Sequence, residues 1–368
     1  MALDPLVPGG SPLSSGERRR AARHLLLEGF GPAAQERLAA ARVLVIGAGG
    51  LGSPVIQYLA AAGVGVLGVV DDDVVEASNL QRQVVHAAGD VDRPKTASAA
   101  EAARALQPGV RVVEHGLRLD EANARSILAG YDVVVDGSDT FATRYAVSGA
   151  AAALGLPVVW GTVLGWDGQV SVFWSAAPDG RGITYPDVFG PMPAEEGESC
   201  STVGVLGPAC GVVGATLAVE AVKLLTGTGD VALGRLLVYD ARTSTWDTVE
   251  LSPPAVPDVV PAPPAAAPVP AAAPASPRLR DQGAQAVPAD ALVLDVGHRA
   301  GALVGYPGAV WVRLEDLAAG NFPPVLVEHP VDAPVVVVCP YGLRSRGAAT
   351  LLRAEGWTDV RSVAVLGA

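Results

Sequence analysis

Residues 42–53 read Arg42-Val43-Leu44-Val45-Ile46-Gly47-Ala48-Gly49-Gly50-Leu51-Gly52-Ser53. A run of branched apolar residues that enters G-x-G-x-x-G predicts a buried strand, a tight turn and a helix opening at the glycines. Gly47, Gly49, Gly50 and Gly52 let the backbone approach a ligand closely, and the helix start aims N–H groups at phosphate. The next strand, Val66–Val70, ends at Asp71, where a carboxylate can hold ribose hydroxyls. Taken alone, this pattern describes a dinucleotide oxidoreductase.

Outward from the turn, short β-branched runs alternate with Ala-rich amphipathic stretches. The strands are Arg42–Ile46, Val66–Val70, Arg111–Glu114, Val133–Asp136 and Val158–Trp160, with helical patterns such as Pro54–Ala62 and Lys95–Leu106 between them. That order predicts an α/β fold, Rossmann-like, with a mostly parallel sheet built from right-handed βαβ units. After Asp167 the pattern changes to antiparallel hairpins (Gln169–Trp174, Leu236–Asp240, Trp246–Leu251) around a helix, Ala209–Leu225. Between Pro253 and Pro277, ten of the chain's 30 prolines fall in 25 positions. Such a segment makes neither helix nor ladder and reads as an extended linker reaching about 75 Å. Beyond it, Leu292–Val296, Val310–Val312, Val335–Val338 and Val360–Val363 predict a second, small α/β unit. The organisation expected is a flexible N-terminus (1–16), a first domain (17–252), a linker (253–277) and a short second domain (278–368).

Composition narrows the function. The 368 residues carry 26 Lys and Arg against 38 Asp and Glu, a net charge of −12. That sign disfavours nucleic-acid backbones and anionic membranes as partners. Three cysteines support neither a disulfide framework nor a four-cysteine zinc site. The longest apolar stretch, Leu59–Val70, is interrupted by three glycines, and Arg18-Arg19-Arg20 has no apolar run behind it. A cytoplasmic protein without a membrane span or signal peptide is the expectation.

The residues beyond Asp71 change the reading of the glycine turn. Ser78-Asn79-Leu80-Gln81-Arg82-Gln83 and then Lys95 place two cations and several amides nearby, as a triphosphate with magnesium requires. Asp139, in Gly137-Ser138-Asp139 after a strand end, is a candidate magnesium ligand or nucleotide-orienting group. With Arg23-His24 and Leu25-Leu26-Leu27 ahead of the fold, and Val170-Ser171-Val172-Phe173 after it, residues 17–251 resemble the MoeB/ThiF group of ubiquitin-activating-type adenylyltransferases. The resemblance implies that ATP activates the C-terminal Gly-Gly carboxylate of a ubiquitin-like sulfur carrier protein. It implies ATP contacts at Gly50, Asp71, Asn79, Arg82, Lys95 and Asp139. It also implies that Arg23 reaches a partner subunit's site in a homodimer. Two departures stand out. Thr140 replaces the asparagine usual after the aspartate, and the stretches matching the family's zinc pairs, Gly180–Tyr185 and Ser252–Val259, hold no cysteine. No zinc site is expected.

The three thiols differ in setting. Cys200 lies in a polar loop and matches the family's acyl- or sulfur-accepting cysteine, though its acidic neighbours disfavour a thiolate. Cys210 falls in an apolar helix and reads as core. Cys339 ends a strand and opens Cys339-Pro340-Tyr341-Gly342-Leu343-Arg344-Ser345, a loop before a helix that aims amides at the sulfur, with Arg344 adding charge. This loop is similar to that of rhodanese domains. A shortened domain is expected: Asp295-Val296-Gly297 stands for the usual Asp-Val-Arg, with Arg299 two residues on as a substitute, and Leu366-Gly367-Ala368 falls where the resemblance implies a closing helix. Together the resemblances imply an adenylyltransferase–sulfurtransferase. Cys339, Cys200, Arg82, Lys95, Arg23 and Arg344 would be its catalytic groups, and thiosulfate or a cysteine desulfurase its sulfur source. Two other classes remain open. An NAD-dependent oxidoreductase leaves Arg82, Lys95 and the Cys339 loop idle, while Thr140 and the trimmed rhodanese features suit a non-catalytic scaffold.

Overall fold

The computed structural model describes residues 3–193, 204–251, 288, 291–296, 308–318, 320–339 and 343–364. They form two compact units, one on either side of the proline-rich stretch.

In chain order the first unit contains α1 (Ser15–Arg20), α2 (Gly31–Ala40), β1 (Arg42–Ile46), α3 (Gly52–Ala62), β2 (Val66–Val70), α4 (Lys95–Leu106) and β3 (Arg111–His115). There follow α5 (Ala124–Leu128), β4 (Val133–Asp136), α6 (Phe141–Leu154), β5 (Val158–Leu164), β6 (Asp167–Phe173), α7 (Tyr185–Phe189), α8 (Gly207–Thr226), β7 (Arg235–Asp240) and β8 (Thr245–Glu250). One sheet runs β3-β2-β1-β4-β5-β6-β7-β8, parallel through β5 and antiparallel after it. The expected Rossmann-like architecture with added hairpins is therefore the observed one. β1 and β4 are buried almost throughout, which explains why both read as continuous apolar runs rather than alternating ones.

Strand order reverses between β1 and β4, and a crevice at the carboxyl end of such a switch point is where α/β ligands bind. Gly47 makes the turn possible with φ +87°. Gly52 is required for a different reason: a Cβ there would lie 1.8 Å from the Gly47 carbonyl oxygen. Gly52→Ala is therefore expected to destabilise the unit by about 3 kcal/mol, because backbone has to move. An unchanged midpoint in a urea titration would show that the turn relaxes freely.

Two sequence readings need correction. Residues 3–16, expected to be a flexible leader, are packed: Leu3 and Val7 belong to the main core, and the Leu6 amide donates to the Leu224 carbonyl at 3.1 Å. Ser14 and Glu17 close a capping box on α1. Apolar residues spaced along this arm cover the end of α8, a contact that local sequence does not announce. Among the described residues the longest apolar element is α8, not Leu59–Val70. It is long and apolar enough to cross a membrane, yet 61% of its most apolar window is buried in this unit, against α3 and strands β4–β6.

The second unit has β9 (Leu292–Asp295), β10 (Val310–Trp311), α9 (Leu314–Ala318), α10 (Pro324–Val327), β11 (Val335–Cys339), α11 (Leu343–Ala354) and β12 (Val360–Ala364). Its parallel sheet runs β10-β9-β11-β12 over a separate core that includes Leu294, Val337, Ala348 and Leu352.

Candidate functional site

The carboxyl edge of β1, β2, β4 and β5 encloses a cleft of about 300 Å³. Its floor is the glycine turn. The amides of Gly49, Gly50 and Leu51 donate to no protein group among the described residues, so three N–H groups remain for an acidic ligand. A Cβ at Gly50 would sit 3.0 Å from the Cys210 sulfur. Cys210 thus does more than fill the core, because this buried thiol forms the cleft wall behind the turn.

Asp71, at the end of β2, accepts from the Ala48 amide (2.8 Å) and the Asp73 amide (2.9 Å). Burial pushes its carboxyl above the usual range, while the Lys95 charge opposes that rise. Lys95 opens α4, is buried, and places Nζ 2.8 Å from Asp73 Oδ2. Arg82 lines the same wall and donates to the Ser78 carbonyl at 3.2 Å. The two cations expected near the turn are thus brought to one cleft. Asn79 is buried outside the lining residues and braces the 76–79 turn, its side chain accepting from the Glu76 amide at 3.3 Å. Asp139 is exposed and lines the opposite strand end, whereas among the described residues the three carboxylates that converge within 4.8 Å of one another are Asp71, Asp72 and Asp73.

Thr140 caps α6, its hydroxyl accepting the Thr143 amide at 3.2 Å. The cap that asparagine would supply is retained in another residue. Sequence reasoning missed Arg144, about one turn further along. It is buried, donates to the Ser138 carbonyl at 3.0 and 3.2 Å and to Thr162 Oγ1 at 3.0 Å, and so ties the Asp139 loop to β5. Gln83, one of the amides of the Ser78–Gln83 run, also lines the cleft, as does Arg118, which was not singled out. Arg23 is exposed and lies outside the lining residues. Gly180–Tyr185, without cysteine, packs through Tyr185 into an aromatic cluster with Trp160, Phe173 and Phe189. Ser252–Val259 and Cys200 lie outside the described residues.

In the second unit Cys339 ends β11 with its side chain buried. The Ser345 amide donates to the sulfur at 3.3 Å, and the sulfur lies 3.5 Å from Ser345 Oγ, itself 2.8 Å from Ser362 Oγ. Arg344 is buried at the start of α11. Pro340–Gly342 lie outside the described residues.

A Rossmann-like sheet with a glycine turn, an acidic strand end and two cations facing one cleft defines a nucleotide-binding α/β protein that manages phosphate charge. Residues 21–258 match the model of the ThiF family, and the chain belongs to that family. Over 375 aligned residues it is 40% identical to the probable adenylyltransferase/sulfurtransferase MoeZ of Mycobacterium tuberculosis, covering 97% of this chain and 94% of the relative. It is 49% identical over 232 residues to the SAMP-activating enzyme E1 of Haloferax volcanii, covering 62% and 84% of the two chains. The crystal structure of E. coli MccB with ATP superposes with a TM-score of 0.57 over 66% of this chain and 74% of that one, at 19% identity, a likeness of fold.

Proposed function

We propose that the protein uses ATP to adenylate the C-terminal Gly-Gly carboxylate of a ubiquitin-like sulfur carrier and then delivers sulfur to it. The observation that carries this reading is one chain joining a cleft with free amides, Arg82 and Lys95 to a second unit with a buried, amide-facing cysteine. Nearly full-length similarity to an adenylyltransferase/sulfurtransferase supports it.

In the first stage a carrier carboxylate oxygen attacks the α-phosphorus of ATP. The bond to the bridging oxygen breaks and pyrophosphate leaves. The amides of Gly49–Leu51, with Arg82 and Lys95, balance charge on the phosphates, and Asp71 accepts from the ribose hydroxyls. Asn79 keeps the Arg82 turn in place. Magnesium, with Asp139 as its protein ligand, supplies further neutralisation when bound. Arg23 acts from the partner subunit of a homodimer.

In the second stage a persulfide on Cys339, loaded from thiosulfate or a cysteine desulfurase, attacks the acyl carbon through its outer sulfur and AMP departs. The Ser345 amide, and Arg344 beside it, favour the anionic sulfur. The Cys200 thiolate then attacks the Cys339 sulfur of the acyl disulfide. The carrier leaves as thiocarboxylate, the enzyme is left as a Cys339–Cys200 disulfide, and an external dithiol reduces it. Residues 253–277 tether the two units and raise the local concentration of Cys339 at the adenylate. The reading includes no zinc and a cytoplasmic location.

Intact mass of a Gly-Gly-ending carrier, after incubation with the protein, Mg-ATP, thiosulfate and a dithiol, tests both stages. Replacement of one oxygen by sulfur that requires ATP is the expected result. An unchanged carrier with no pyrophosphate released, across several carriers, would overturn it.

A further inference from the structure

One buried group close to the cleft has no part in the chemistry above. His86 is 7% exposed, with Nε2 3.0 Å from the Ala48 carbonyl oxygen and Nδ1 2.8 Å from Ser98 Oγ on α4. Ser98 Oγ is in turn 2.9 Å from Asp90 Oδ2. The Ala48 amide is held from the other side by Asp71. Both polar ends of this one residue are therefore fixed by side chains distant in sequence.

Counting protons settles the tautomer. The Ala48 carbonyl can only accept, so Nε2 must carry a hydrogen. When the ring is neutral, Nδ1 accepts the single Ser98 proton, and Ser98 then no longer donates to Asp90. When it is charged, Nδ1 donates to Ser98 and Ser98 donates to Asp90. Asp71, Lys95 and Asp90 are the charged groups acting on the ring, and burial is the largest influence, lowering its pKa. Either protonation state preserves the bond to Ala48; titration only turns a hydroxyl.

That bond has a geometric consequence. In a planar trans peptide, the Ala48 carbonyl and the Gly49 N–H point in opposite directions. A carbonyl drawn toward His86 sends the Gly49 amide the other way, and Gly49 lines the cleft. We infer that His86 is a positioning residue that aims the Gly49 amide, and with it the glycine turn, at the ligand's phosphate. The phosphate rests on the functional reading above; the orientation of the turn does not.

Hydrogen exchange of the nucleotide-free full-length protein tests this without any assumption about activity. His86→Ala and His86→Asn should speed exchange of the Ala48 and Ser53 amides, which are hydrogen-bonded to Asp71 and to the Gly49 carbonyl, by about tenfold, the equivalent of one lost hydrogen bond. His86→Gln, which returns an N–H at the Nε2 position, should retain protection. Exchange in β1 should stay unchanged in all three. A packing role alone would lower thermal stability in each variant without separating Gln from Asn. Wild-type protection in His86→Ala, or equal loss in His86→Gln and His86→Asn, would overturn the inference. In pyrophosphate exchange, KM for ATP should rise in the Ala and Asn variants and recover in Gln, with kcat little changed. Should the wild-type protein exchange no pyrophosphate while the hydrogen-exchange pattern holds, adenylation fails and the positioning role stands.

Discussion

Lys95→Ala is expected to slow ATP–pyrophosphate exchange by about 10²–10³-fold, the loss typical of one preorganised charge at a reacting phosphate. Lys95 is buried at the first turn of α4, which holds its stem while Asp73 holds its ammonium at 2.8 Å. The charge is thus in place before a nucleotide arrives, and little reorganisation is needed when negative charge builds on the phosphates. The substitution has a second effect. Lys95 opposes the burial that raises the Asp71 pKa, so its removal lets that pKa rise further. Asp71 then becomes protonated at higher pH than in the wild-type protein. Nucleotide affinity in Lys95→Ala should accordingly fall off earlier as pH is lowered. Exchange within threefold of wild type, with an unaltered pH profile, would remove Lys95 from the phosphate-binding set.

Cys339→Ala is expected to reduce thiocarboxylate formation to the level without enzyme while pyrophosphate exchange stays within about twofold. The separation follows from chemistry: a carboxylate attacks phosphorus in the first stage, and only the second needs sulfur. Cys339 lies in the core of the second unit, with Leu294, Val337 and Ala348 among its cluster, so the smaller side chain leaves some space unfilled. Cys339→Ser is the better control for packing, since it fills most of that space with a poor nucleophile. Thermal unfolding of both variants should accompany the assay. An undiminished yield of thiocarboxylate in either variant would show that sulfur comes from elsewhere.

The strands were legible because each is short, rich in branched residues and flanked by turn residues, so local pattern and buried environment agree. The glycine turn was legible for a similar reason, since its spacing encodes a backbone path rather than a contact. Arg82 and Lys95 could be read as a pair because both lie in the connection that leaves β2 at Asp71, which a βαβ unit carries past the carboxyl edge of the sheet. Arg144 gave no such sign: in sequence it is one arginine in an Ala-rich helix, and its partners Ser138 and Thr162 come together only when β5 lies beside β4. Cys210 was read as core, and it is buried, but packing of α8 against α3 makes it the wall behind Gly50 as well. The N-terminal arm was misread because Pro, Gly and Ser dominate its composition, while Leu3 and Val7 supply the apolar surface that decides its place.

By itself the sequence determined the order of strands and helices, the position of the glycine turn and the residue types available for phosphate and sulfur chemistry. Those properties follow from local backbone preference and periodic burial, which act over a few residues. Tertiary structure alone decided which groups meet: His86 beneath Ala48, Asp71 and Lys95 across one cleft, and Arg144 between two strand ends. Such contacts span between 18 and 38 positions of chain for His86 and Ala48, Arg144 and Thr162, and Lys95 and Asp73. They depend on which strands pair at the switch point, a choice made by burying the whole sheet at once.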